Sequence, residues 1–326
     1  MEIGKLTNST LNSSIISKLN IKNKDILVGP SVGEDCSIID FGDEVCVLTT
    51  DPITAAVKNS GILGVHICCN DIASAGVAPI GVMVTILAPP TSELEDIEAV
   101  MGEINLACEE LEIDVLGGHT EITDAVNRLV LSITAVGKST RKKFVTTGGA
   151  AVGDKIIVTG FAGLEGTAIV SNDYMEYLIP KIGEETVKTA QEMLKSISVV
   201  KTGLLASQFG VSAMHDATEG GVLGAIWEVA EASKCGAYIY KDRIPVKEET
   251  IKICEALKIN PFKLISSGCM IITTDKGNEL SELLSKAGID NKIVGEITTK
   301  DMIINVNGRE EKIIPPEADE IFKIKL

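Results

Sequence analysis

Aromatic residues are scarce, at 3% of 326, with a single tryptophan. The chain is nevertheless 45% hydrophobic, so its interior has to be built from Ile, Val, Leu and Ala, a usage that suits buried sheets and helices. No run of about 18 apolar residues occurs, and MEIGKLTNST has no basic segment ahead of an apolar stretch. Neither a membrane span nor secretion is expected, and a cytoplasmic location is. Positive charge is in deficit: 30 Lys and Arg face 46 Asp and Glu, for a net charge of -16. That balance opposes nonspecific nucleic-acid binding and repels anionic membranes. The eight cysteines contain no CxxC pair for zinc or redox work, so reduced, buried thiols are expected.

What is present is a chain long enough for two ordinary domains, with a mean hydropathy of +0.25. Short β-branched runs bounded by turn residues predict strands at 45–50, 81–88 and 128–137. Between them a helix is predicted at 61–75. Another is predicted from Ser92 to about Glu112, where Ser92 and Glu95 have capping-box spacing and Ile97, Met101, Ile104, Ala107, Cys108 and Leu111 recur at helical intervals. Charged, Thr and Gly residues interrupt the pattern at 139–155. Beyond them, strands are predicted at 154–160, 236–241 and 268–274, and helices near 164–172, 184–197, 221–234, 247–257 and 277–287. Asn307-Gly308 fits a hairpin turn between strands of the tail.

Four acids of the first half lie beside glycine turns or at element ends: Asp35 in GPSVGEDCS, Asp51 after VCVLTT, Asp71 in CCNDIASAG and Glu121 in VLGGHTE. Each alone is better read as a turn or cap residue. Together they suit one cation, because carboxylate oxygens are the hard ligands that Mg²⁺ prefers. Asp71 is the most telling, since its helix is otherwise apolar and a buried, unpaired carboxylate is unfavourable. Either a structural hydrogen bond or a metal satisfies it. In GFAGLEGTA, Gly160, Gly163 and Gly166 follow a strand and lead into a helix, where free N–H groups can hold phosphate; a plain tight turn fits as well. The segment lacks the GK[ST] of a P-loop and the spacing of a dinucleotide fingerprint. His215, Asp216, Thr218 and Glu219 are expected at or just before the N-terminus of an amphipathic helix in MHDATEGGVLGAIWEVAEAS. His119 and His215 are the histidines placed in polar loops, whereas His66 is expected to pack inside its helix.

In this order, GEDCS, TTDP, NDIASAGVAP, GGHTE, GFAGLEGTA, HDATEGGV and SSGCMIIT resemble the motif series of the AIR synthetase-related (PurM-like) superfamily over nearly the whole chain, most closely its HypE-like hydrogenase-maturation branch. The resemblance implies a two-domain α/β (α+β) architecture. Its N-terminal domain (1–145) binds ATP and metal and pairs its sheet with a second subunit in a homodimer, and its C-terminal α/β domain (150–326) completes the site. Asp35, Asp51 and Asp71 match acids that coordinate Mg²⁺ and phosphate, with Glu121 and Asp216 added to the metal set. Gly117, Gly118 and His119 match a nucleotide-lining GG turn, although thiamine-monophosphate kinases carry Asp directly after those glycines. Gly160, Gly163 and Gly166 match positions near the phosphates. Gly33, Thr50, Asn70 and Thr218, from the same motifs, are assigned to nucleotide contact. His215, with Asp216, is assigned to acid-base work or substrate contact.

The chain ends ADEIFKIKL without the terminal Cys of the HypE route, and its first cysteine, Cys36, already lies in a metal motif, which disfavours selenide water dikinase. The expected activity is therefore Mg²⁺-dependent phosphorylation or activation by ATP of an oxygen on a small-molecule or protein-terminus substrate. Nucleotide binding as an assembly or maturation partner, without turnover, is the alternative. No nucleic-acid or membrane partner is expected.

Overall fold

The computed structural model describes residues 4–54, 59–140, 143–315 and 318–325. The low aromatic content and the β-branched runs are realised as two sheets. The first holds β1 (Ile26–Val28), β2 (Ser37–Asp40), β3 (Glu44–Ile53), β4 (Pro79–Ala88), β5 (Asp114–Ile122) and β6 (Val130–Thr140) in the order β1-β2-β3-β6-β4-β5. Only the β4–β5 pairing is parallel; its neighbours are antiparallel. The second sheet holds β7 (Lys155–Thr159), β8 (Ala213–Asp216), β9 (Gly236–Tyr240), β10 (Met270–Thr274), β11 (Asn291–Thr298), β12 (Met302–Val306) and β13 (Arg309–Lys312), in the order β13-β12-β9-β11-β7-β10-β8. The protein is a mixed α/β molecule built on two sheets.

The helix Ser60–Ser74 is the layer that joins them. Thirteen of its 15 residues are buried, and it packs on β3 and β6, on the helix Leu94–Leu111 and on the helix Val200–Phe209 of the second half. A Cβ on Gly203 would stand 2.2 Å from the Ala73 carbonyl oxygen, so this glycine permits the close approach. Ile38, Val47, Ile72, Ile86, Ile104 and Ile133 fill the first core. The second sheet is covered on one side by the helix Gly221–Ala232 and on the other by the helices Val200–Phe209 and Gly277–Lys286.

The helix near 94–111 is capped one residue later than its sequence spacing suggests. Glu93 and Asp96 form the capping box, because the Ser92 N–H is already taken by the Pro89 carbonyl. The 184–197 helix is an α-helix over Glu184–Gln191 followed by a 3₁₀ turn over Glu192–Ser196. Strands β1, β2 and β8 and the helices Asn8–Ser14, Met175–Ile182 and Val200–Phe209 were not anticipated, nor was β5, whose glycines read as a turn. The first three of these strands are too short for alternation to show, at three to four residues. The chain's first helix, Asn8–Ser14, reaches across to the second half: Asn8 Nδ2 donates to Glu228 Oε1 at 3.1 Å, and the Lys5 N–H donates to Glu219 Oε2 at 3.2 Å.

Candidate active site

A cavity of about 560 Å³ opens between the two sheets, and residues from Gly4 to Phe322 line it. Strand β3 ends on one wall with Thr49, Thr50 and Asp51, and the loop before β2 adds Gly33, Glu34 and Asp35. Asp71 enters from the joining helix. Asp216, at the end of β8, lies behind the same wall with no exposure.

These carboxylates repel one another. Burial and the neighbouring Asp216, Asp35 and Asp51 push Asp71 well above the ordinary carboxylate range. Burial, with Asp35 adding to it, raises Asp51 to about 6 and Asp216 to about 7. Asp71 keeps one strong partner, a 2.6 Å hydrogen bond to Oδ2 from the Thr49 hydroxyl, while both Asp216 oxygens lack any. Carboxylate oxygens with orphaned buried atoms fit a hard divalent cation, and Asp35 and Asp216 present such oxygens within 4.8 Å of each other.

His215 has a different role from the one its sequence suggested. It lies in a strand rather than a polar loop, 2% exposed, with Nδ1 2.8 Å from Asp35 Oδ2 and Nε2 3.0 Å from Glu228 Oε2. Burial disfavours its charge, yet Asp35 and Glu228 outweigh burial and hold its pKa well above the ordinary value. Burial likewise pushes the two carboxylates up, and the imidazolium overcomes it so that both stay low. A ring held at both nitrogens favours its proton and is placed to orient Asp35.

Asn70 is also structural. Its Nδ2 donates to the Ile197 carbonyl at 2.9 Å and its Oδ1 accepts from the Val199 N–H at 2.8 Å, so both ends of the amide tie the halves together. The Thr50 hydroxyl donates to the Ile133 carbonyl on the neighbouring strand, although the residue does line the cavity. Gly33, at φ +82°, and Thr218 line it too.

Four donors of the glycine turn at 160–166, those of all three glycines among them, are already taken. Gly160 N–H goes to Asp290 O, Ala162 N–H to Pro245 O, Gly163 N–H to Ser266 Oγ and Gly166 N–H to Ile265 O. Its glycines serve packing, since a Cβ on Gly160 would meet the Gly268 carbonyl oxygen at 2.2 Å. Gly117, Gly118, His119 and Glu121 form no turn; they lie in β5, whose nine residues are all exposed on the sheet edge away from this cavity. Gly118 is required there because a Cβ would fall 1.8 Å from the Val84 carbonyl oxygen of β4.

Sequence reasoning missed Lys5, Thr49, Glu165, Glu228 and Ser267. Glu165 and Glu228 carry the signal that singled out Asp71, an acid in an otherwise buried helix, and it was not applied to them. Lys5 is exposed as a residue, but its ammonium lies near Glu228, Asp35, Asp51 and Glu219; desolvation opposes its charge and those acids outweigh it, raising its pKa.

The model of the AIR synthase related protein N-terminal domain matches residues 33–139, and that of the C-terminal domain matches residues 151–306. A putative hydrogenase expression/formation protein of Methanocaldococcus jannaschii is 28% identical over 278 residues, 84% of this chain and 81% of that protein. A carbamoyl dehydratase HypE of Bradyrhizobium diazoefficiens is 25% identical over 246 residues, 73% of this chain and 69% of its own. A solved structure of the hydrogenase maturation protein HypE in complex with ATP superposes with a TM-score of 0.70 at 16% identity, covering 97% of this chain and 94% of that one.

Proposed function

This chain belongs to the AIR synthase related protein family, and on that premise we propose that it is a Mg²⁺-dependent enzyme that uses ATP to phosphorylate an oxygen of its substrate. The ATP complex of the HypE structure and the dehydratase activity named for the Bradyrhizobium relative support nucleotide-driven activation. The observation that carries the reading is the convergence of Asp35, Asp51, Asp71 and Asp216 around one cavity, with the Asp216 oxygens unpartnered. A chain of net charge -16 with such a wall repels a nucleotide unless cations intervene. Asp35, Asp51, Asp71 and Asp216 would hold Mg²⁺, which supplies neutralisation of phosphate charge and polarisation of the transferred group. His215, braced by Glu228, fixes Asp35; Thr49 fixes Asp71; Lys5 sets a further positive charge among the acids.

Calorimetric titration with AMPPCP tests this. Binding is expected with Mg²⁺ and absent in EDTA, and equal binding in both would remove the cation from the reading. Asp71→Asn and Asp216→Asn should lose most of the Mg²⁺-nucleotide affinity while the ligand-free protein unfolds in urea no earlier than wild type, because repulsion is relieved. If Asp71 is instead an anchor, Asp71→Asn lowers ligand-free stability by about 1 to 3 kcal/mol and leaves nucleotide affinity unchanged.

The partner we propose is a second copy of the chain, meeting along β5. That edge exposes Val115, Leu116 and Ile122, and the adjacent β4 exposes Ile80 and Met83, an apolar strip that an isolated sheet leaves uncovered. Gly117, Gly118, His119 and Glu121 lie on the same strand, where a second copy would meet them. Light scattering should give twice 34.5 kDa, and a monomer at micromolar concentration would refute the pairing.

A further inference from the structure

The acid cluster occupies one wall of the cavity, and a second polar pair, Glu165 and Ser267, lines it apart from the residues assigned to the metal ion. Glu165 is 3% exposed in the first turn of the helix Leu164–Asp173 and faces the cavity, where its Oε2 has no hydrogen-bond partner. Beside it, Ser267 is fully buried and lines the same cavity, with its hydroxyl and N–H turned towards the Glu165 carboxyl and its Oγ in no other hydrogen bond. Ile169, one turn along the same helix face, and Ile265 supply aliphatic walls.

A structural role for the carboxylate as a cap is closed off. The Gly163 N–H is held by Ser266, the Gly166 N–H by the Ile265 carbonyl and the Thr167 N–H by the Gly163 carbonyl, so Glu165 caps none of these three donors. A buried carboxylate oxygen left over after that accounting requires a ligand or a proton. Burial raises the Glu165 carboxyl to about 7; the Ser267 hydroxyl and N–H oppose this, and Asp319 and Glu219 add to it. The group is therefore poised to ionise against a cation. The charges facing it, Asp319 and Glu219, are both acids and repel an anionic or acceptor-only group.

We propose that Glu165 and Ser267 form the substrate subsite of this cavity and take a cationic nitrogen, an alkylammonium or amidinium group carried on aliphatic carbon. The inference rests on the ATP-dependent reading for the role of the cavity, but its recognition chemistry is separate from the cation wall. An ammonium group donates to Glu165 Oε2 and to Ser267 Oγ, and its carbon packs against Ile169 and Ile265.

Methyl-labelled isoleucine gives a local readout in NMR titrations of the full chain. Isobutylammonium should shift the Ile169 and Ile265 resonances saturably, and isobutanol, of the same shape without charge, should not. Glu165→Gln should weaken isobutylammonium binding by about tenfold or more, as expected for loss of a charge-assisted hydrogen bond. Ser267→Ala should weaken it by a smaller factor. Glu165→Gln should also fold at least as stably as wild type and keep its affinity for AMPPCP with Mg²⁺. Equal responses to ammonium and alcohol in wild type, or undiminished ammonium binding in Glu165→Gln, overturn the subsite. Ammonium binding in a protein that fails to bind AMPPCP with Mg²⁺ upholds the subsite and refutes the nucleotide reading instead.

Discussion

Strands β5 and β8 are both edge strands, each carrying a histidine beside a carboxylate, yet the two pairs differ in everything that matters energetically. His119 Nε2 is 3.2 Å from Glu121 Oε2, with side chains 65% and 51% exposed. His215 Nε2 is 3.0 Å from Glu228 Oε2, at 2% and 8%, and a second acid, Asp35, closes on Nδ1. The distances are alike; the surroundings decide. Water competes for the first pair at every moment, whereas the joining helix Ser60–Ser74 and the helix Gly221–Ala232 cover β8, so that its ions depend on one another. The chain thus uses one open edge, suited to a partner, and one sealed edge, suited to a site.

Removing the sealed histidine tests this contrast most severely. His215→Ala leaves Asp35 and Glu228 facing each other without the imidazolium between them and should cost about 3 to 5 kcal/mol in urea unfolding, together with nucleotide affinity. His215→Lys, which restores charge but cannot reach both acids, should recover part of the stability.

The next largest effect concerns pH. The Glu165 carboxyl stands at about 7 in the fold against an ordinary 4.5, so the folded chain binds the extra proton between those values. Its contribution is fully present below about pH 4.5 and is lost as pH rises towards 7, by on the order of 3 kcal/mol. Asp319, raised mainly by burial to about 6, adds a parallel loss. The readout is therefore the difference between proteins: Glu165→Gln should flatten the stability profile over that window, and an unchanged slope would place the proton elsewhere.

On the open edge the backbone matters more than the charges. Gly118→Ala sets a methyl against the Val84 carbonyl oxygen and should destabilise the protein by about 1 to 3 kcal/mol while loosening any dimer seated on β5. Smallest of all, His119→Ala should change ligand-free stability by no more than about 0.5 kcal/mol and show nothing in the salt dependence of unfolding beyond that.

Much of this molecule was readable along the chain. The runs around VCVLTT, GVMVTILA and DKIIVTG are strands, and Asp71 stood out because an acid among Val65, Cys69, Ile72 and Ala73 has few ways to be satisfied. The same reasoning applied to Glu165 and Glu228 would have found them. Asn70 and the 160–166 turn misled for the opposite reason. Their polar groups look available in sequence, but their partners, at 197–199 and at 245, 265, 266 and 290, lie far along the chain.

The sequence by itself determined most of the longer elements and the family, and marked Asp35, Asp51 and Asp71 as candidates, because periodicity and motif spacing are local properties that survive without knowledge of the fold. Tertiary structure alone decided which polar groups remain unspent. Thr49 satisfies one Asp71 oxygen, Ile197 and Val199 consume the Asn70 amide, and Asp35 and Glu228 consume the His215 ring. Among the described residues, Asp216, behind the cavity wall, and Glu165, lining it, then keep buried carboxylate oxygens without a partner. Hydrogen-bond satisfaction in a low-dielectric interior is accounted over the whole molecule, so a residue's availability is set by neighbours that its own stretch of sequence does not contain.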